Sequence, residues 1–245
     1  MLLEDVNVSQ IGTVRNDIKD PNEMPPLGVK SRIEVYPEYA AGLLWLEKHS
    51  HVWVFAWLHY ASRNNTQVVP RALKHKGLDA LHGVFAVRTT NRPNPIGITV
   101  AKIAGTHVSR VECDRLDFVD GTPVIDLKPY FVTHDLVYSA STEEIGRPES
   151  REMIRESLLL QGERFCGEIT PEVEKAADCL AHFRATVLEF QDTWQWRISI
   201  PKNRLALADA VMAMTRVRLG NGGLRFHARN SLLIESGGSA REYPI

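Results

Sequence analysis

HVWVFAWL, residues 51–58, is the stretch whose reading decides the fold. It is β-branched, aromatic and almost wholly apolar, so it reads as a strand buried on both faces. On either side of it the chain keeps a strand-like text. Val8 to Val14 alternates weakly, and Arg32-Ile33-Glu34-Val35-Tyr36 alternates clearly before Pro37 ends it. Further strands are expected at 83–88, 96–104, 107–118 and 123–127. One short helix is expected between Pro37 and Lys48, where Tyr39, Leu43, Leu44 and Leu46 fall near helical spacing. Many short strands separated by Gly/Pro turns predict a mainly β N-terminal domain, a barrel or a sandwich, over residues 1–140.

The text changes after Ser139. SASTEEIGRPESR (139–151) is polar and holds a Gly and a Pro, the composition of a linker or exposed loop. Beyond it, 151–165 and 171–190 read as helices, with Thr170 as the N-cap and Pro171 in the first turn of the second. Trp194 to Ile200 alternates as a strand, Asn203 to Leu219 reads as an amphipathic helix, and Leu224 to Ile234 as a last strand. Residues 150–245 are thus expected to form a smaller α+β domain. Gly220-Asn221-Gly222-Gly223 follows a helix rather than a strand, so it is read as a helix stop and turn and not as a phosphate loop.

The whole chain sets outer bounds. Its 245 residues are 44% hydrophobic and 24% charged, as in a soluble globular protein, and can bury a sizeable core. A net charge of -1, from 29 basic and 30 acidic residues, excludes a generally basic nucleic-acid coat but not a local basic patch. Cys113, Cys166 and Cys179 are odd in number and form no CxxC pair, so no disulfide framework or cysteine metal site is expected. His49 and His51 flank Ser50, yet no third ligand stands at a recognisable spacing, and no metal is assigned. MLLEDVNVSQ lacks the pattern of a signal peptide, and the apolar run at 52–58 is too short to span a membrane. The expected location is cytoplasmic.

GVFAVRTTNRPNPIG, 83–97, begins like a strand and is then interrupted by two prolines around an asparagine. Each proline fixes its own φ and pushes the residue before it out of the helical region. Arg92-Pro93-Asn94-Pro95 is therefore stiff, extended and poor in backbone donors, and belongs on a rim rather than inside a sheet. It is either a rigid loop with solvated arginines or a preorganised ligand rim. Asn94 offers two donors and an acceptor, and Arg88 and Arg92 can each grip a carboxylate or phosphate in two-pronged fashion. LDFVDGTPVIDLKPY, 116–130, packs Asp117, Asp120 and Asp126 beside Lys128 and Tyr130. Asp120-Gly121 signals a turn, and Asp126 either pairs with Lys128 on one strand face or serves the chemistry. His59-Tyr60, at the exit of the 51–58 strand, is a third candidate.

These two stretches, in this order, resemble the signatures of the TsaA-like or YaeB-like proteins, the TrmO-like family of S-adenosylmethionine-dependent tRNA methyltransferases. SHVWVF (50–55) and IGTVR (11–15) resemble the same family's text, so the resemblance covers roughly residues 8–136. It implies a small, non-Rossmann β-barrel methyltransferase working as a homodimer. It also implies methylation of the exocyclic nitrogen of threonylcarbamoyl-adenosine beside the tRNA anticodon. Carried over position by position, the cofactor contacts implied are Pro26, Leu27 and Gly28; His59 and Tyr60; Arg88 and Ile98; and Asp114, Arg115, Leu116 and Asp117. Two places depart from the family's text: Tyr60 stands where Gln is frequent, and Met24-Pro25-Pro26 is poorer in Gln and basic residues.

The chemistry agrees with that set. Arg88 suits a carboxylate, Asp117 or Asp114 a hydroxyl or ammonium, and Leu116 and Ile98 the faces of an adenine. Methyl transfer is an in-line displacement that depends above all on positioning. A delocalised exocyclic nitrogen is a poor nucleophile, so loss of its proton helps, and Asp126 and Tyr130 are the candidate acceptors. Asn94 completes the catalytic set, while Arg92 and Lys128 are assigned to the tRNA anticodon loop. Two rival readings share the fold: a methyltransferase with a small-molecule or protein acceptor, and a non-enzymatic S-adenosylmethionine sensor. Arg197, Lys202, Arg204, Arg216 and Arg218 form either a solvated face or an RNA surface in the C-terminal part.

Overall fold

The structure is a computed structural model that describes residues 7–140, 150–186 and 196–245. The chain divides into two compact units. One runs up to Val68 and resumes over Leu81–Leu136, and the other joins Val69–Ala80 to Val137–Ile245.

The first unit is a closed barrel. Its strands are β1 (Gly12–Arg15), β2 (Val29–Val35), β3 (His51–Trp57), β6 (Ile96–His107), β7 (Arg110–Leu116) and β8 (Pro123–Pro129), in the spatial order β1-β2-β7-β6-β3-β8. Closure comes from β1, which pairs antiparallel with β2 on one side and with β8 on the other. Val14, Ile33, Val52, Val54, Val111, Leu116 and Val124 fill the interior at 0% exposure. A closed sheet of six strands encloses little space, so inward positions take compact aliphatic side chains.

That geometry corrects the reading of 51–58. β3 is not buried on both faces. Val52, Val54 and Ala56 point inward, while His51, Trp53, Phe55 and Trp57 stand half-buried on the outer wall. The sequence is apolar throughout because the wall has aromatic cover outside as well as a core inside. The run 83–88 is likewise not a strand. His82–Gly83 (β5) pairs only with Gln67–Val68 (β4), and the chain then turns, with Ala86 N bonding Gly83 O. The helix expected at 37–48 is two short 3-10 segments, Pro37–Leu43 and Leu46–Lys48, broken at Trp45, whose φ is +72°. After β8 a single helical turn, Val132–Asp135 (α1), follows.

In the second unit, helices α2 (Arg151–Cys166), α3 (Pro171–Thr186) and α4 (Leu205–Thr215) share one core with a four-stranded sheet. The sheet holds β9 (Arg197–Pro201), β10 (Leu224–His227), β11 (Ser231–Ser236) and β12 (Ser239–Pro244), in the order β10-β9-β11-β12. Ser150 caps α2 by accepting from Met153 N, and Thr170 accepts from Val173 N at the start of α3. Gly162 lets α2 approach closely, since a Cβ there would meet Val173 Cγ1 at 2.6 Å and Met214 Cε at 2.8 Å. The expected last strand, 224–234, is instead β10 and the start of β11, separated by a turn. The polar stretch 139–151 lies mostly outside the described residues, as do the end of the helix expected at 171–190 and Trp194. Among the described residues no helix is long and apolar enough to cross a membrane.

Candidate functional site

Strand direction gathers parts of three connections at one end of the barrel: 16–28 between β1 and β2, 58–68 and 81–95 between β3 and β6, and 117–122 between β7 and β8. Ten of the sequence-assigned site residues lie on these loops or at their strand junctions: Pro26, Leu27, Gly28, His59, Tyr60, Arg88, Arg92, Asn94, Leu116 and Asp117.

Gly28 makes the first junction. Its φ is +76°, and a Cβ there would fall 2.4 Å from the Leu116 carbonyl carbon and 2.7 Å from Asp117 N. Only a glycine allows this approach, which seats Pro26-Leu27-Gly28 directly on the end of β7. Asn16 ties the same two loops, donating from Nδ2 to Phe118 O at 2.8 Å while its backbone N–H reaches Asp120 Oδ1 at 3.2 Å. Asp120 thus serves the turn that Gly121 closes at φ +81°. Gly97 makes the second junction, because a Cβ there would strike Phe118 Cε1 at 2.5 Å and Leu58 Cδ2 at 2.9 Å.

The proline rim is stiffened by more than its prolines. Leu58 N bonds Pro95 O at 2.8 Å, Arg92 N bonds Ser62 O at 3.1 Å, and Ile96 N bonds Asn94 O at 2.8 Å. Ser62 N bonds Asn91 Oδ1 at 2.9 Å, and Arg63 Nε bonds Pro93 O at 3.0 Å. Arg92 spends Nη2 on Val84 O at 2.9 Å, so part of its guanidinium is structural. Arg88 and Asn94 are exposed.

A bulge shapes the β7 wall. Val29 opposes Leu116, but Ser31 opposes Cys113, so β7 carries an extra residue there. Cys113 and Leu116 both point inward at 0% exposure, and consecutive Asp114 and Arg115 both face out. Bulges of this kind re-aim side chains that simple alternation would separate. Asp114 Oδ1 accepts from Lys102 N at 2.7 Å, and Thr99 Oγ1 donates to Asp117 Oδ1. Arg115 Nε is 3.6 Å from Asp114 Oδ2 and is buried with no hydrogen-bond partner. Behind them, burial and then the charges of Asp114 and Glu112 push the Cys113 thiol up to about 12. Ile98 stands opposite Phe55, just inside the loop end.

Lys128 and Tyr130 are not brought to these loops, while Asp126 is level with Ile98, across Phe55 from it. Asp126 opposes Phe55 and Lys128 opposes Trp53, and Tyr130 N bonds His51 O at 3.0 Å at the other end of β3. Roughly 20 Å of strand separates the two ends of β3. Asp126 Oδ2 pairs with Lys128 Nζ at 2.7 Å, and Asp126 also lines a cavity of about 330 Å³ with Trp45 and His49. The sequence reading missed Asn16, Arg63 and Thr99, which hold the loops and Asp117 in place. Asn16 and Thr99 are short polar residues near a strand end, which is the signal that could have found them; nothing local marks Arg63.

A family model described as the tRNA-methyltransferase O N-terminal domain matches residues 15–136. A probable S-adenosyl-L-methionine-binding protein of Archaeoglobus fulgidus is 33% identical over 241 residues, which is 94% of this chain and 64% of that protein. This chain thus spans less than two thirds of that relative's length. An S-adenosyl-L-methionine-binding protein of the same organism is 38% identical over 131 residues, 52% of this chain and 91% of that protein. A tRNA (adenine(37)-N6)-methyltransferase of Mus musculus is 34% identical over 133 residues, 54% of this chain and 30% of that protein. The matched residues are those whose strands and loops build the barrel and its loop end, and the chain belongs to the tRNA-methyltransferase O family.

Proposed function

We propose that this chain is an S-adenosylmethionine-dependent tRNA adenine methyltransferase. Its acceptor, on this reading, is the exocyclic nitrogen of threonylcarbamoyl-adenosine beside the anticodon. The observation that carries the reading is the loop end itself, where Gly28 seats one loop on Leu116-Asp117 and the Asp114–Arg115 ion pair stands beside that junction. An arginine and carboxylates held together there offer both a grip for an anionic group and acceptors for a cationic one. The donors and acceptors present fit S-adenosylmethionine: Arg115 and Arg88 for its carboxylate, and Asp114 and Asp117 for an ammonium or hydroxyls. Pro26 to Gly28 and Leu116 would flank the adenine, with Ile98, His59 and Tyr60 at the margin. Bound there, the cofactor supplies a methyl group on a sulfonium.

The chain's own part is positioning and proton removal. Asn94 and Arg92, fixed on the rim, orient the threonyl carboxylate or the loop backbone. Tyr130 lies at the far end of the barrel, so it acts as a proton acceptor only when a second copy presents it to this end, whereas Asp126 stands across Phe55 from Ile98. The homodimer is part of the proposal for that reason, with Lys128 beside Asp126 to meet the RNA.

Transfer of label from S-adenosylmethionine to tRNA carrying threonylcarbamoyl-adenosine, with unmodified tRNA as control, tests the reading. Label confined to the modified tRNA is expected; label in neither, with cofactor bound, would sink it. A second reading has one observation behind it. The relative that matches 94% of this chain, including its C-terminal part, is named only as binding S-adenosylmethionine. That favours a different acceptor or a sensor, and the same assay separates them.

A further inference from the structure

Segments 58–68 and 82–95 of the barrel unit form one bonded surface. The links from Leu58 N to Pro95 O, Arg92 N to Ser62 O and Val84 N to Thr66 O join them at successive points. On this surface Phe85 is 84% exposed and Tyr60 is 69% exposed. A ring held that far into water contributes little to its own core, so packing does not account for Phe85. Its backbone is fixed on both sides: Val84 N is bonded to Thr66 O, Val84 O receives the Arg92 guanidinium, and Ala86 N turns back to Gly83 O.

The charge carried by the two segments is one-sided. The two segments hold Arg63, Arg88 and Arg92 and no aspartate or glutamate, in a chain of 29 basic and 30 acidic residues. In sequence, the acids that flank them are Glu47, Asp79 and Glu112. Arg63 is itself positioned, through its Nε bond to Pro93 O at 3.0 Å. An exposed ring on segments that carry three arginines, two of them bonded in place, and no acids matches the chemistry of an unpaired nucleobase and its phosphates. This same face of a second copy is a poorer occupant, because pairing the two would set arginines against arginines.

We propose that Phe85 is a stacking platform for an unpaired base of the RNA substrate, with Arg63 on the adjoining phosphate. This rests on reading the chain as a tRNA methyltransferase and adds the surface that takes the unpaired loop.

The test is equilibrium binding of a fluorescently labelled anticodon stem-loop RNA to the full chain, read by anisotropy, with no turnover required. Phe85→Ala should weaken binding on the order of 10- to 100-fold. Phe85→Tyr should restore it and Phe85→Leu should not, because the platform needs a π face rather than bulk. Arg63→Gln should lower the slope of log affinity against log salt by about 0.7. Affinity for S-adenosylmethionine, by calorimetry, should be unchanged in the three Phe85 variants. Wild-type affinity in Phe85→Ala would overturn the proposal. So would a change in its sedimentation from dimer to monomer, which would give the ring to a second copy. If the stem-loop binds with these dependences but no tRNA accepts a methyl group, the platform stands and the methyltransferase reading falls.

Discussion

Gly28 shows how much one residue holds. Its φ of +76° and its approach to Leu116 both exclude a Cβ. Gly28→Ala should cost about 1–3 kcal/mol of stability and lift the 26–28 loop from β7. A lower Tm together with weaker S-adenosylmethionine binding is the expected pair of results; full affinity would detach that loop from the site. Asn94 is exposed, and its structural bond uses only its main-chain oxygen. Asn94→Ala should therefore leave the rim intact and cofactor affinity unchanged while turnover falls on the order of 100-fold. Unchanged kcat would remove Asn94 from the site. Glu34 receives Arg15 Nε at 2.8 Å and Arg32 Nε at 3.3 Å, and the bond from Arg15 holds its carboxylate below the usual range. A depressed folded pKa stabilises above the unfolded value and is lost as pH falls through the folded one. Both partners are well exposed, so Glu34→Gln should cost only about 0.5 kcal/mol at pH 7. Denaturation curves against pH should converge with wild type in acid.

At the scale of the strand, β7 combines a buried thiol with a bulge. Cys113 is 0% exposed and its thiol is pushed up to about 12, first by burial, whereas Cys166 is only partly buried. Of the three free cysteines, Cys166 should react promptly with a thiol reagent in the native protein, and Cys113 only as fast as the barrel opens. Because the folded value is raised, the stability due to Cys113 is complete below the ordinary thiol range. It is lost as pH rises toward about 12. Rapid native labelling of Cys113 would contradict the barrel register. The bulge left a trace in the sequence: CDRL is apolar, polar, polar, apolar, which breaks strict alternation, and Asp114 and Arg115 share a face because β7 has one residue more than β2 at that point. β3 left no such trace: an all-apolar string cannot say whether its second face is core or aromatic wall. The run 83–88 failed for another reason, since Phe85 has strand chemistry but an exposed, turning backbone. Asp120-Gly121 and Arg92-Pro93-Asn94-Pro95 were legible, because turn and proline chemistry is local.

Over the whole molecule, the two units have cores that share no residue, one around Val54 and Leu116 and the other around Phe183 and Trp196. Phe183 is 0% exposed and meets the Trp196 ring edge-on at 5.2 Å between centroids. Phe183→Ala should cost about 3–5 kcal/mol. We expect calorimetry to show that loss in one transition while S-adenosylmethionine binding persists; a single shifted transition with binding abolished would mean the units do not fold separately.

What the sequence by itself determined was local or compositional: a β-rich first part, an α+β second part, a stiff rim at 92–95, a turn at 120–121, and motif text specific enough to mark a family. Each depends on covalent geometry or on residue types close in the chain. Only the tertiary structure decided that the barrel closes, which faces are interior, that Gly28 rests on Leu116, and that Tyr130 lies away from the rim. Those facts follow from strand register and direction. Register is set by packing and hydrogen bonds between residues as distant as Asn16 and Phe118, which no local pattern encodes.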